Sequence, residues 1–155
     1  MTYYKFSKIL MLIVTCYFIW GCGYQPILNE ENQKFSISQF NLEGNKRLGG
    51  LLKNNLIVIK KSKNSLVLDV KSEKKTAVAN KSKTGKILSY ALTLKFEINA
   101  SKNENIIYSK VFTKTQNYTA ADVHSATLNN EKKLVETLIE SIANELLIEL
   151  NSIYQ

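Results

Sequence analysis

The sequence has few of the residues that cross-link chains, bind metals or break secondary structure. Its 155 residues include two cysteines, one histidine, one proline and six glycines. The low proline and glycine content excludes a collagen-like or proline-rich disordered chain. The length excludes a multidomain enzyme, and it suffices for one domain with a core that needs no disulfide or metal.

A long apolar run is also missing. The longest one, residues 9–20, has twelve residues, whereas a membrane-spanning helix needs about 20. Lys5 and Lys8 precede this run, and a short basic segment followed by 7 to 15 apolar residues is typical of a secretory signal peptide. The sequence therefore predicts export.

The run ends in Ile19, Trp20, Gly21, Cys22 and Gly23 rather than in an A-x-A cleavage pattern. This ending resembles a bacterial lipobox, in which the cysteine is lipidated and becomes the first mature residue. The resemblance implies a lipoprotein signal peptide at residues 1–21 and a single periplasmic domain at 22–155, anchored to the membrane through Cys22. Several acyl chains hold a protein firmly. By resemblance to sorting rules, the glycine after Cys22 implies the outer membrane.

Catalytic chemistry is poorly represented. With Cys16 in the signal segment and Cys22 lipidated, no free thiol remains, and His124 is the only imidazole. Neither a zinc site nor a redox pair is expected from this set. Asp122 and Ser125 lie beside His124, but adjacency in sequence does not make a catalytic triad. We expect no enzyme activity, no metal and no cofactor.

Positive charge is concentrated in the middle of the chain. Residues 34–114 hold 17 bases and 5 acids, whereas residues 115–155 hold 2 bases and 6 acids. Nine lysines fall within residues 60–86, with no aromatic side chain among them. Proteins that bind nucleic acids usually place aromatic residues between their basic ones, so no nucleic-acid partner is expected. A phosphate-bearing or membrane-surface partner and a merely solvated hairpin remain alternatives.

Hydrophobic spacing predicts six elements. Alternation with period two predicts strands, and spacing of three and four residues predicts helices. The elements are a strand at 34–41, a helix at 45–56, strands at 66–79, 90–98 and 106–118, and a helix at 126–152. The apolar stripe of the last helix runs through Leu134, Leu138, Ile142, Leu146 and Leu150 and must cover an apolar sheet face. The predicted fold is α+β, a two-layer α/β sandwich. Its sheet has about four strands, mostly antiparallel, and is packed by two helices in the order β-α-β-β-β-α.

Residues 22–26, CGYQP, look like the GCG-aromatic-x-Pro start of the LPS-assembly lipoprotein LptE family. The later order is similar: an alternating strand from Tyr90, a turn, Ile107 with Tyr108, Val111 with Phe112, then a long amphipathic helix. The resemblance implies a non-catalytic outer-membrane lipoprotein. It would bind and assist the LptD β-barrel, whose complex places lipopolysaccharide in the outer leaflet.

The resemblance also implies candidate binding residues. Lys110 lies just before Val111 and Phe112, where the family has a basic residue tied to lipopolysaccharide binding. The predicted hairpin makes Lys86 and Lys114 neighbours, so these three lysines are candidates for charge-assisted contacts with lipid A phosphates.

Two other functions fit the sequence. One is an outer-membrane lipoprotein adaptor with no role in lipopolysaccharide transport, which the identity of the partner would distinguish. The other is a secreted polyanion or nucleic-acid binder that depends on Lys60 to Lys86, and its binding would fall steeply with salt.

Overall fold

The computed structural model describes residues 34–56, 62 and 64–154. Cys22 and the predicted signal peptide lie outside the described residues. The elements are listed here in chain order: β1 (Ser36–Gly44), α1 (Lys46–Asn55), β2 (Ser65–Lys81), β3 (Ile87–Lys102), β4 (Asn105–Thr119) and α2 (His124–Ser152). The predicted α+β class and the order β-α-β-β-β-α are confirmed.

The four strands form one mixed sheet in the order β1-β2-β3-β4. β1 runs parallel to β2, and the β2–β3 and β3–β4 pairs are antiparallel. A two-residue turn joins β3 to β4, with φ of 50° at Asn103 and 67° at Glu104. Positive φ at both central residues is the geometry that suits the right-handed twist of a hairpin.

The core lies against one face of this sheet. In the central part of β3 every second side chain is fully buried: Leu92, Leu94, Phe96, Ile98 and Ala100. Both helices pack on that face, α1 over β1 and β2 and α2 over β3 and β4. The opposite face carries polar side chains such as Thr93 and Asn99 and has no helix of the described residues over it. The molecule therefore has two layers, as the sequence predicts.

Helix α2 buries most of the predicted apolar stripe together with the apolar residues beside it. Val135, Ile139, Ala143 and Leu147 are buried together with the predicted Leu138, Ile142, Leu146 and Leu150, whereas Leu134 is only half-buried. The helix also begins two residues earlier than predicted, so that His124 is its exposed first residue and not part of a loop. No helix among the described residues is both long enough and apolar enough to cross a membrane.

The turn from β1 into α1 depends on a glycine. Gly44 has a φ of +71°, and a Cβ on it would lie 2.3 Å from the backbone oxygen of Ser72. The next residue, Asn45, donates its backbone N–H to the same oxygen at 2.9 Å, and its side chain caps α1 by accepting from the N–H of Leu48. The close approach of β1 to β2 at this point therefore leaves no room for a side chain.

We expect Gly44→Ala to lower the free energy of unfolding by roughly 2–4 kcal/mol, because the methyl group forces the backbone apart and the left-handed conformation is unfavourable. Gly50→Ala is the matched control. Its added methyl group meets nothing within 4 Å, and alanine favours the helix by about 0.5–1 kcal/mol. Urea unfolding measures both. Equal stability of the two variants would contradict the assignment of this turn.

Candidate functional site

Two of the predicted lysines lie side by side on the edge strand of the sheet. Lys110 pairs with Ile98 and Lys114 pairs with Leu94, so both are on the face of β4 that α2 covers. Because β4 is the last strand, their side chains run out past the rim of the core. Each remains about one third exposed, which is the usual arrangement of a lysine whose stem packs on apolar surface.

Both lysines are bound by carboxylates of α2. The Nζ of Lys110 donates to Glu145 at 3.3 Å and also to Glu149, and the Nζ of Lys114 donates to Glu145 at 2.9 Å. The Lys110 ammonium lies 4.8 Å from the centre of the Phe112 ring. We call Lys110, Lys114, Glu145 and Glu149 the lysine–glutamate cluster.

Tyr108 extends this cluster along β4. Its hydroxyl donates to Glu149 at 2.6 Å. Burial, followed by this hydrogen bond, raises the pKa of the Tyr108 phenol, so the group stays neutral and remains a donor. Glu149 therefore accepts from a tyrosine and a lysine together.

The cluster is electrically balanced. The hydrogen bond from Lys114 is the largest cause that holds the pKa of Glu145 below its usual value, and that from Lys110 does the same for Glu149. The bond to Glu149 raises the pKa of Lys110. Two ammonium groups face two carboxylates, so the cluster has no net charge near neutral pH. An anion that binds these lysines therefore competes with the carboxylates for their positive charge.

A second contact of the same kind lies near the start of α2. Glu131 accepts from the Nζ of Lys74 at 2.6 Å and from the hydroxyl of Tyr118 at 3.1 Å. Burial is the main cause that raises the pKa of Tyr118 to about 12, and the bond to Glu131 adds to it. Three acids of this helix, Glu131, Glu145 and Glu149, are therefore paired with lysines of the sheet and not simply solvated.

The third predicted lysine, Lys86, lies outside the lysine–glutamate cluster. Lys86 lies just before β3 and pairs with Asp122 at 2.6 Å, with both side chains largely exposed. Lys114 pairs with Leu94, eight residues along the strand, which is roughly 26 Å away at the rise of a β-strand. The predicted proximity of Lys86 to Lys114 is wrong, because the two-residue turn at Asn103 and Glu104 sets a register that places Lys114 opposite Leu94.

The sequence alone did not distinguish the lysines that form ion pairs from those that do not. Lys75, Lys81 and Lys83 are exposed and form no ion pair with a described residue. They lie on the far half of the β2–β3 hairpin, whose turn ends at Gly85, with a φ of +83°. Alternate residues of a strand share one face of the sheet. Tyr108, Lys110 and Lys114 are all even-numbered residues of β4, and this shared parity could have indicated that their side chains face the helix.

The lysine–glutamate cluster contains no nucleophile that is paired with a base. Within residues 34–56, 62 and 64–154, no group of three or more histidine, cysteine, aspartate or glutamate side chains could hold a metal ion. The ammonium groups of the cluster can bind an anion, and its ion pairs fasten α2 to β4.

The fold occurs in several solved lipoproteins. Rare lipoprotein B from Shewanella oneidensis has 16% identity and a TM-score of 0.55, with 74% of this chain and 95% of that chain covered. Lipoprotein B from Nitrosomonas europaea has 10% identity and a TM-score of 0.62, covering 86% and 93%. A minor lipoprotein from Acinetobacter baumannii has 18% identity and a TM-score of 0.56, covering 82% and 94%. No family model and no curated protein matches this chain. At these identities the likeness shows a shared fold.

The lowered pKa values of Glu145 and Glu149 predict a loss of stability in acid. Because the ordinary pKa is 4.5 and the folded value is lower, the stabilisation is present above pH 4.5 and is lost as pH falls through the folded pKa. Unfolding by urea at pH 6 and at pH 3.5 measures the difference. Glu145→Gln with Glu149→Gln should reduce it, and Glu140→Gln, an exposed control on the same helix, should not. An unchanged difference in the double variant would contradict this origin.

Proposed function

We propose that this chain is an outer-membrane lipoprotein of the LptE type. Residues 1–21 direct export, Cys22 carries the lipid anchor, and residues 22–155 form a periplasmic domain. The domain binds and assists an LptD-like β-barrel in lipopolysaccharide assembly and has no catalytic role.

Two features of the chain together support the proposal. The lipobox and the CGYQP segment resemble the start of the LptE family, and the domain that follows has the fold of solved lipoproteins. Among them is rare lipoprotein B, a name that belongs to the LptE family. The segment and the fold lie in different parts of the chain, so they support the proposal independently.

The described surface is compatible with a barrel partner. The interior of a large outer-membrane barrel is polar. The helix-free face of the sheet is polar as well: Thr93 and Thr115 share a hydrogen bond of 2.9 Å, and Lys95 pairs with Glu97 at 2.6 Å. Against a polar wall, Lys95 keeps its pairing with Glu97, and Lys75, which forms no ion pair with a described residue, needs a polar group of the wall.

Lys110, Lys114 and Lys86 are proposed to bind the phosphates of lipopolysaccharide. Phosphate oxygens accept charge-assisted hydrogen bonds from ammonium groups. At the lysine–glutamate cluster, phosphate competes with Glu145 and Glu149 for the same donors. At Lys86, the competing Asp122 carboxylate is largely exposed, so water and salt screen the pair and phosphate meets little competition.

Purification of the tagged chain from detergent-solubilised outer membrane tests the partner. We expect a large β-barrel protein in near-equal amount, and a diacylated cysteine at position 22 by mass spectrometry. Cys22→Ala should abolish lipidation, because the substitution removes the thiol that carries the acyl chains.

The outcomes separate the parts of the proposal. A lipidated chain that is recovered without a barrel would refute the translocon role and favour an adaptor unrelated to lipopolysaccharide. A chain that keeps Cys22 free of lipid would refute the anchor. Recovery of the barrel with the Cys22→Ala chain would show that the barrel contact does not need the anchor.

Lipopolysaccharide binding by the purified chain tests the lysines. We expect Lys110→Ala with Lys114→Ala to weaken binding roughly fivefold to tenfold, about 1–1.4 kcal/mol. The loss is moderate because the carboxylates already occupy these lysines. Glu145→Gln with Glu149→Gln should strengthen binding severalfold, since it releases both ammonium groups without a change of shape.

The matched control is Lys46→Ala with Lys133→Ala, which removes the same charge from exposed helix positions. An equal loss in the control would mean that only net charge matters. Unchanged binding in both the lysine and the glutamine variants, with the fold intact by circular dichroism, would rule out the cluster as a phosphate site.

A further inference from the structure

Half of strand β2 has a free edge. β1 pairs with β2 only as far as Gly44 opposite Ser72, but β2 continues to Lys81. Residues Glu73–Lys81 pair with β3 on one side, and no described strand pairs with the other side. A strand edge of this kind presents unpaired backbone donors and acceptors to a second chain.

A groove lies directly beside this edge. It has a volume of about 650 Å³ and lies between α1, the first half of α2, and β2 at Lys74. Its apolar lining consists of Leu48, Leu51, Leu128 and Val135. Leu128 is 50% exposed, so apolar surface is accessible from the mouth of the groove.

The edge and the groove are aligned. Asn45 makes the last backbone contact with Ser72, and the chain then turns away into α1. A strand added beside Glu73 would continue the line of β1. Since successive side chains of a strand point to opposite faces, every second side chain of the added strand would enter the groove.

The charged side chains around the edge and the groove determine which kind of strand can bind there. Five cations and three carboxylates lie on the free edge and around the groove: Arg47, Lys74, Lys75, Lys81 and Lys132, with Glu73, Glu131 and Glu136. Lys74 is paired with Glu131 and Lys132 with Glu136, so Arg47, Lys75 and Lys81 remain against Glu73 among these groups. Lysines on an edge oppose its pairing with a second copy of the same edge, but they attract an acidic strand.

We propose that Glu73–Lys81 binds an extended segment of a partner polypeptide by β-strand addition. The segment alternates apolar and acidic side chains. Its apolar side chains enter the groove, and its acidic ones lie on the open face beside Lys75. This inference does not depend on the outer-membrane role proposed above.

The test uses the full lipidated chain in detergent micelles and a nine-residue synthetic peptide of alternating valine and glutamate. Fluorescence anisotropy measures binding, and hydrogen exchange reports the backbone amides of residues 73–81. We expect the peptide to slow exchange at alternate amides of this segment at least tenfold. N-methylation of the peptide on its edge-facing amides should weaken binding at least tenfold, as should replacement of its glutamates by lysines.

Two variants of α2 form a matched pair. Leu128→Glu places a carboxylate in the groove and should weaken peptide binding about tenfold. Ile148→Glu makes the same change at a position that is also 50% exposed but lies 20 residues away on the same helix, and binding should not change.

Several results would overturn the proposal. Equal binding of the N-methylated peptide would show that no strand is added. Equal losses in Leu128→Glu and Ile148→Glu would show that the groove is not involved. Slow exchange at the edge-facing amides of residues 73–81 in the chain without peptide would mean that the edge is already covered, by another part of the chain or, if it depends on concentration, by a second copy. Absence of binding would refute the proposal directly.

Discussion

The even-numbered side chains of β3, from Leu92 to Ala100, are fully buried beneath the helices, and the positions of the other elements follow from that contact. Complete burial of a leucine or phenylalanine contributes about 1.5–3 kcal/mol, whereas a partly exposed ion pair contributes at most about 1 kcal/mol. The apolar contact therefore determines which face of the sheet the helices cover. The ion pairs then determine how α2 is aligned along the rim.

Charge is distributed in two different ways on this scaffold. Along the flank of β4, Glu131, Glu145 and Glu149 neutralise lysines of the sheet and connect α2 to it at two points. On the far half of the β2–β3 hairpin, lysines such as Lys81 and Lys83 have no carboxylate partner among the described residues. The excess positive charge of residues 34–114 therefore lies mainly on the hairpin and not at the lysine–glutamate cluster.

The period of the hydrophobic pattern was sufficient to predict all six elements and their packing. Alternation from Tyr90 to Ile98 identifies the buried face of β3, because successive side chains of a strand point to opposite faces of the sheet. Parity does not determine the register of a hairpin, and the turn at Asn103 and Glu104 places Lys114 opposite Leu94 and far from Lys86. The pairing of Lys110 with Glu145 joins residues 35 positions apart, and no local pattern encodes that distance.

The early end of β1 at Gly44 has a consequence for variation in chain length. Beyond Ser72 the β2–β3 hairpin has no parallel neighbour among the described residues, so its length is not tied to that of β1. Removal or insertion of two residues in each strand leaves every side chain on the same face of the sheet. A change of one residue moves every side chain between that point and the turn to the opposite face. Each such pair of residues moves the basic tip by roughly 7 Å. The reach of that tip can therefore be adjusted in fixed steps while the core stays as it is.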